Sequence, residues 1–400
     1  MTVDRTRRFA LPGIQDLNKD QDEALAPPLE GQHLVVGGPG TGKSVVALLR
    51  ARRLAENDKT YRTLVYNHLL DRSNRHLFGS DQELVARTWE SWFRDIYRHL
   101  VGDVPTDAPE ETNGYHPIHW EAVDRQIRSL DGSEDHSAKF LDKFLVIDEG
   151  QDMPPAFYGA LADLGFVNFY VAADQNQQIH PDRCSSRRDL EDSLDIEPGD
   201  TVELKTNYRN TRPVALLAEH FYPADPASPK PDLPDPEPSA ATPELWTYGT
   251  LGTATLAGLS DSILQLSDRN PRKLIGIIAP NNEVRTKFHD ALTRADPSLD
   301  NGKPPIRTWF SGHQEFPDFG QGGVMIINAQ SCKGLEFDTA ILADIDRHQP
   351  KHDQHALKAR FYVMAARARE QAILLRTGDV CPIVDELLPT DPAVLARKPS

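Results

Sequence analysis

Gly37-Gly38-Pro39-Gly40-Thr41-Gly42-Lys43-Ser44 sets four glycines, a lysine and two hydroxyls in one short run. These residue types at this spacing bind phosphate. Glycines let successive backbone N–H groups converge on one anion, and the N-terminus of a following helix adds partial positive charge. The run fits G-x-x-x-x-G-K-[ST], in which Lys43 reaches the β- and γ-phosphates of a nucleoside triphosphate and Ser44 holds Mg²⁺. A second constellation complements it. The apolar run Phe144–Ile147 ends in the adjacent acids Asp148 and Glu149. Asp148 at a strand tip can bind Mg²⁺ directly or through water, and Glu149 can polarise an attacking water.

The elements that must position these residues are legible from apolar runs. Leu34–Val36 before the glycine loop and Val45–Leu49 after it predict strand, loop, helix. Similar short β-branched runs recur at Thr63–Tyr66, Leu84–Thr88, Phe144–Ile147, Phe169–Ala172 and Val202–Leu204. A second series follows at Leu274–Ala279, Ile306–Phe310, Val324–Asn328, Ala340–Ala343 and Ala372–Leu375. Strands alternating with helical stretches predict an α/β fold with parallel sheets, and two series predict two lobes. We place the first lobe at residues 1–205, with a small insertion about 93–140, and the second at 206–400. Between Pro223 and Pro243 eight prolines crowd a segment poor in apolar residues. It reads as an extended connector or as a long surface loop of the second lobe.

Composition narrows the function classes. The chain has 400 residues, enough for two or three cores, and no apolar run long enough to cross a membrane. Its N-terminus lacks the apolar stretch of a secretory signal. Cys184, Cys332 and Cys381 stand far apart and predict neither a disulfide framework nor a zinc site, so a cytoplasmic setting is expected. The formal charge of −16 argues against holding nucleic acid by bulk electrostatics, though not against a local basic groove. His348, His352 and His355 lack a further ligand and read as a solvated linker rather than a metal site.

Asp148-Glu149-Gly150-Gln151-Asp152 resembles the DExQD box of superfamily 1 helicases of the UvrD/Rep type, and further motifs of that family stand in order around it. Leu17-Asn18-Lys19-Asp20-Gln21 resembles the glutamine motif that reads adenine. Ala173-Asp174-Gln175-Asn176-Gln177-Gln178-Ile179 is similar to GDxxQxI, and Leu204-Lys205-Thr206-Asn207-Tyr208-Arg209-Asn210 to LxxNYRS. Asn328–Phe337 resembles TxHxxKGLEF, and Tyr362–Arg369 resembles YVAxTRAR. The resemblance runs from Leu17 to about Leu375. It implies two RecA-like lobes with an ATP site in the cleft between them, ATP and Mg²⁺ as cofactors, and movement on single-stranded DNA from 3′ to 5′. It also implies roles: Gln21 on the adenine edge, Tyr208 stacked on the base, Glu336 at the ribose and Gln177 sensing the γ-phosphate. Arg209 and Arg367 would be arginine fingers from the second lobe, so that hydrolysis depends on cleft closure.

For the strand itself, the resemblance points to Tyr66 and Asn67, to Thr88 on a phosphate with Trp89 stacking, and to Gln330 where the family has histidine. Trp309 and Phe310 are further stacking candidates. Against stacking, Trp92, Phe93 and Ile96 fit one buried helix face, and Trp309 alternates like a core strand residue. The chain departs from the family at Val45, where arginine is usual, at His180-Pro181 after the third motif, and at Ala366 in place of threonine. The large insertion of the family's second lobe is missing. Expected partners are single-stranded DNA, as a tailed or gapped duplex, and a nuclease or other effector protein, with no membrane. Two other readings stay open: a motor subunit that unwinds little alone, and a nucleotide-gated binding module.

Overall fold

The computed structural model describes residues 3–7, 16–66, 86–108, 115–130, 143–177, 184–224, 228–249, 255–310, 317–350, 353–377 and 381–398. Its strands form two parallel sheets, an α/β fold consistent with two RecA-like lobes. The first sheet contains β1 (Gln32–Gly37), β2 (Tyr61–Val65), β3 (Ala86–Thr88), β4 (Phe144–Ile147), β5 (Asn168–Ala173) and β6 (Val202–Leu204). Their order is β3-β2-β4-β5-β1-β6. Its inner strands β4 and β5 are buried along their whole length, as expected of a parallel sheet covered on both faces. One face packs on α2 (Lys43–Glu56) through Val46, Leu49 and Leu54, with α1 (Lys19–Leu25) beside it through Ala24 and Leu25. The other carries α3 (Trp89–Leu100), α4 (Trp120–Arg128), α5 (Pro155–Asp163) and α6 (Arg187–Ser193). The insertion helices α3 and α4 bury Trp92, Phe93 and Ile127 in that same core.

The second sheet has seven strands in the order β13-β7-β12-β11-β8-β10-β9. These are β7 (Glu244–Thr247), β8 (Leu274–Ala279), β9 (Ile306–Thr308), β10 (Gly323–Asn328), β11 (Phe337–Leu342), β12 (Ala368–Arg376) and β13 (Ala396–Arg397). Helices α7 (Arg212–His220) and α10 (Gln354–Ala365) cover one face, with α11 (Pro382–Leu387) beside α10. α8 (Leu256–Arg269) and α9 (Asn282–Arg294) cover the other. β7 and β13 have no counterpart among the expected strands. β7 starts directly after Pro243, and β13 is two residues long, so neither carries an apolar run.

Two segments bridge the lobes. Residues 3–7 dock on the second lobe although α1, just beyond them in the chain, packs in the first. Thr6 bridges Gln321 antiparallel, and the buried Arg7 guanidinium donates to Asp338 at 3.2 Å and to the Phe319 carbonyl at 3.1 Å. The described part of the proline-rich stretch before β7 forms no helix and turns at Glu237–Ala240. Asp232 N donates to Lys205 O at 2.7 Å, and Pro231 presses on Gly38 so closely that a methyl group there would overlap its ring. His348, expected in a solvated linker, is fully buried against the Phe361 ring with Nε2 3.2 Å from Ala343 O. His355 lies exposed on α10, and His352 falls outside the described residues.

Candidate functional site

The carboxyl ends of β4, β5 and β1 are neighbours, and there the chemistry-bearing residues of the first lobe meet. After β1 the chain turns through Gly40 and Gly42 at φ 81° and 92°, left-handed values that glycine adopts without strain. Gly42 then opens α2, with Lys43 and Ser44 as its first helical residues. Among the described residues the amides of Gly40, Thr41 and Gly42 donate no hydrogen bond. Unpaired amides at a helix N-terminus form an anion cradle, so this loop fits a triphosphate. The buried Lys43 ammonium donates to Gly38 O at 2.9 Å and stands 3.4 Å from Asp174 at the tip of β5.

Asp148 and Glu149 follow β4, and both are buried. Glu149 takes a left-handed backbone (φ 58°) and accepts from Gln151 Nε2 at 2.7 Å. Asp148 accepts from the Glu149 amide at 3.1 Å, and half-buried Ser44 lies at the head of α2. A hydroxyl and a carboxylate are the oxygen donors Mg²⁺ takes alongside phosphate, so the donor set fits that ion.

The second lobe completes the cluster. Lys333, in the turn after β10, donates to Asp152 at 2.6 Å and lies 3.9 Å from Glu149, with all three side chains buried. Burial raises the Glu149 carboxyl, but Lys333 and Lys43 outweigh it and hold it below the usual carboxylate range. Burial, opposed by Lys333 and reinforced by Glu149, pushes Asp152 up to about 7. Arg367 is fully buried behind α10, where Nε donates to Val363 O at 2.9 Å, and it acts electrostatically on Glu149. Burial and then Arg209 lower its pKa. Arg209 pairs with Glu336 at 2.6 Å.

The turn between the lobes locks onto the loop. Tyr208 N donates to Gly40 O at 2.9 Å, Asn207 Oδ1 accepts from the amides of Arg209 and Asn210, and Asn210 Nδ2 donates to Ala366 O at 3.2 Å. The Tyr208 ring is 52 % exposed, which leaves a face for a partner.

Residues 323–375 match the model of the UvrD-like helicase C-terminal domain. The segment covers Lys333, Glu336 and Arg367. No curated protein matches the chain. Among solved structures the chain is similar to the C-terminal domain of a possible DNA helicase from Lactobacillus plantarum WCFS1. That match has 17 % identity and a TM-score of 0.33, over 48 % of this chain and 98 % of that one. At that score the likeness carries no argument.

The remaining expected residues divide. Gln21 is buried with both ends of its amide in use: Oε1 accepts from Asn18 N at 3.3 Å and Nε2 donates to Thr41 O at 3.2 Å. It caps α1 and ties that helix to the loop. Pro39 and Thr41 are buried within the loop, and Thr41 Oγ1 donates to Gly38 O at 2.8 Å. The side chain of Gln177 and the whole of Asn67 lie outside the described residues. Tyr66 directly follows β2 and is half-buried; burial and then Asp152 raise its pKa. Thr88 is buried at the head of α3. The Trp89 ring is half-buried and packs against the first-lobe core, with Trp120 at 6.4 Å and Phe157 at 5.1 Å. Gln330 is exposed; Trp309 is buried, whereas Phe310 is exposed beneath the Arg285 guanidinium at 4.4 Å. Sequence reasoning gave no role to Lys333, Asp152 or Asp174. The first two stand inside the K-G-L-E-F and D-E-G-Q-D runs, so the signal was their place in the motifs, but their pairing crosses the lobes.

Proposed function

We propose that the chain is an ATP-dependent DNA helicase or translocase of the UvrD/Rep type, moving 3′ to 5′ on single-stranded DNA. The lobes would divide near residue 205, with the nucleotide between them. The observation that carries the reading is the cross-lobe convergence on Glu149: Lys43 from the first lobe, and Lys333 and Arg367 from the second, all act on that carboxylate. Mg·ATP would be held by the loop amides, Lys43, Ser44 and Asp148, and it supplies a phosphoanhydride for hydrolysis. Glu149, kept ionised, accepts a proton from water. Arg209 and Arg367 offer guanidinium charge toward the cleft, so hydrolysis requires both lobes. Motion of one lobe against the other then follows from the state of the cleft.

A second reading, a motor subunit that unwinds little alone, is favoured by the short connection between β9 and β10, which leaves residues 309–322 where the family carries a domain. One experiment addresses both. ATP hydrolysis is measured with and without single-stranded DNA, RNA and duplex, for wild type and Lys43→Ala. Stimulation by single strands that Lys43→Ala abolishes supports the motor. Hydrolysis indifferent to every nucleic acid refutes it, and a tailed duplex that stays paired despite stimulation selects the second reading.

A further inference from the structure

Tyr362 is an expensive residue for the fold to carry. It sits in α10, five residues before Arg367, and is 2 % exposed, yet its hydroxyl has no hydrogen-bond partner among the described residues. A buried hydroxyl without a partner costs about 1–3 kcal/mol. Loose local packing is not the reason. Its ring meets Tyr222 edge-on at 5.6 Å, and the Tyr222 hydroxyl is satisfied, donating to Ser228 O at 3.0 Å and lying 3.4 Å from Asn176 Nδ2. Two tyrosines in one contact therefore differ: one is bonded and the other is left open.

The open hydroxyl points at the phosphate loop. A methyl group placed on Gly38 would lie 3.5 Å from it. Gly38 is also the residue whose carbonyl receives the Lys43 ammonium. Asp174, the other partner of that ammonium, is close enough to Tyr362 to act on it electrostatically. The hydroxyl thus faces the loop residue whose carbonyl holds the phosphate-reaching lysine, and it arrives from the opposite lobe. A cavity of about 20 Å³, with room for about one oxygen atom, is lined by Tyr362, by Pro39 of the loop and by Asn207, Asn210 and Pro231. Burial, Asp174 and Tyr222 all favour the neutral phenol, so the group remains a donor at any physiological pH.

We propose that Tyr362 is a positioning residue whose hydroxyl is reserved for an oxygen of the terminal phosphate, so that it reports from the second lobe whether the loop holds a triphosphate or a diphosphate. The proposal rests on the nucleotide-site reading above. An anionic oxygen supplies the acceptor that the protein withholds, and a charge-assisted bond is among the stronger ones available. Tyr362 thereby gives the second lobe a contact with the nucleotide besides its two arginines, one that vanishes on phosphate release.

The test is Tyr362→Phe, which deletes one oxygen and keeps the ring. Affinities for Mg·ADP and for a Mg·ATP analogue with a nitrogen-bridged γ-phosphate are measured by calorimetry, and the nucleotide-free melting midpoint by scanning calorimetry. We expect the analogue to bind about tenfold more weakly, ADP to bind as in wild type, and the nucleotide-free midpoint to hold or rise. Equal affinities for the analogue in the two proteins overturn the proposal, as does equal weakening of both nucleotides. A lower nucleotide-free midpoint also overturns it, because the hydroxyl then has a structural partner. If wild type binds neither nucleotide, the nucleotide-site reading itself fails.

Discussion

Lys333→Met puts the charge balance of the cleft to a quantitative test. In the native protein the Lys333 side chain is 1 % exposed and Asp152 4 %, and they meet at 2.6 Å with Glu149 3.9 Å from the same ammonium. Removing one partner of such a pair leaves an uncompensated buried charge and costs about 3–5 kcal/mol. Methionine keeps the volume, so little of the loss comes from packing. The pH dependence has a definite sign. The folded Asp152 pKa, about 7, lies above its ordinary value, so the native state holds a proton that the unfolded chain releases. Its contribution to stability therefore falls as pH rises from the ordinary carboxylate range to about 7. Loss of Lys333 raises this carboxyl further and extends the fall to higher pH. Urea unfolding of wild type, Lys333→Met and the double variant Lys333→Met/Asp152→Asn should be compared at pH 5 and pH 8. The single variant should lose about 3–5 kcal/mol at pH 8 and clearly less at pH 5, and the double variant should recover part of the loss, the rest being Glu149 left without the Lys333 ammonium. A loss under about 1 kcal/mol at pH 8, the range of an exposed pair, would refute the buried-charge argument. So would an equal loss at both pH values.

Arg209→Ala should lower kcat for ATP hydrolysis by about a thousandfold while nucleotide affinity changes less than about tenfold. A kcat within tenfold of wild type, in single-turnover assays with and without single-stranded DNA, would remove Arg209 from the chemistry. For His348, burial and then Arg360 lower the folded pKa to about 3, against an ordinary 6.5. The unfolded chain therefore binds the extra proton, and stability is lost as pH falls below about 6.5, by about 3 kcal/mol at pH 4. His348→Phe should be modestly less stable than wild type at pH 7 yet decline less toward pH 4; urea midpoints that fall in parallel for both proteins would contradict the buried neutral imidazole.

The sequence by itself determined the local structure. Gly37–Ser44 and Phe144–Glu149 declare themselves because a strand, a glycine turn and a helix are contiguous, and each depends on neighbours a few residues away. Parallel pairing was legible for the same reason: β4, β5 and β8 are dominated by apolar residues that only a doubly covered sheet can bury. Short strands such as β7 and β13 were not, since pairing rather than hydrophobicity makes them strands. Tertiary structure decided everything that depends on which distant groups share a low-dielectric cleft. It packed the half-buried Trp89 ring against the first-lobe core and left Tyr208 more exposed, although both are aromatic residues within recognisable motifs. It paired Lys333 with Asp152 and laid Pro231 against Gly38. It also left the Tyr362 hydroxyl without a partner. Charge and hydrogen-bond energies turn on distance and burial, and neither quantity is carried by residue type or spacing along the chain.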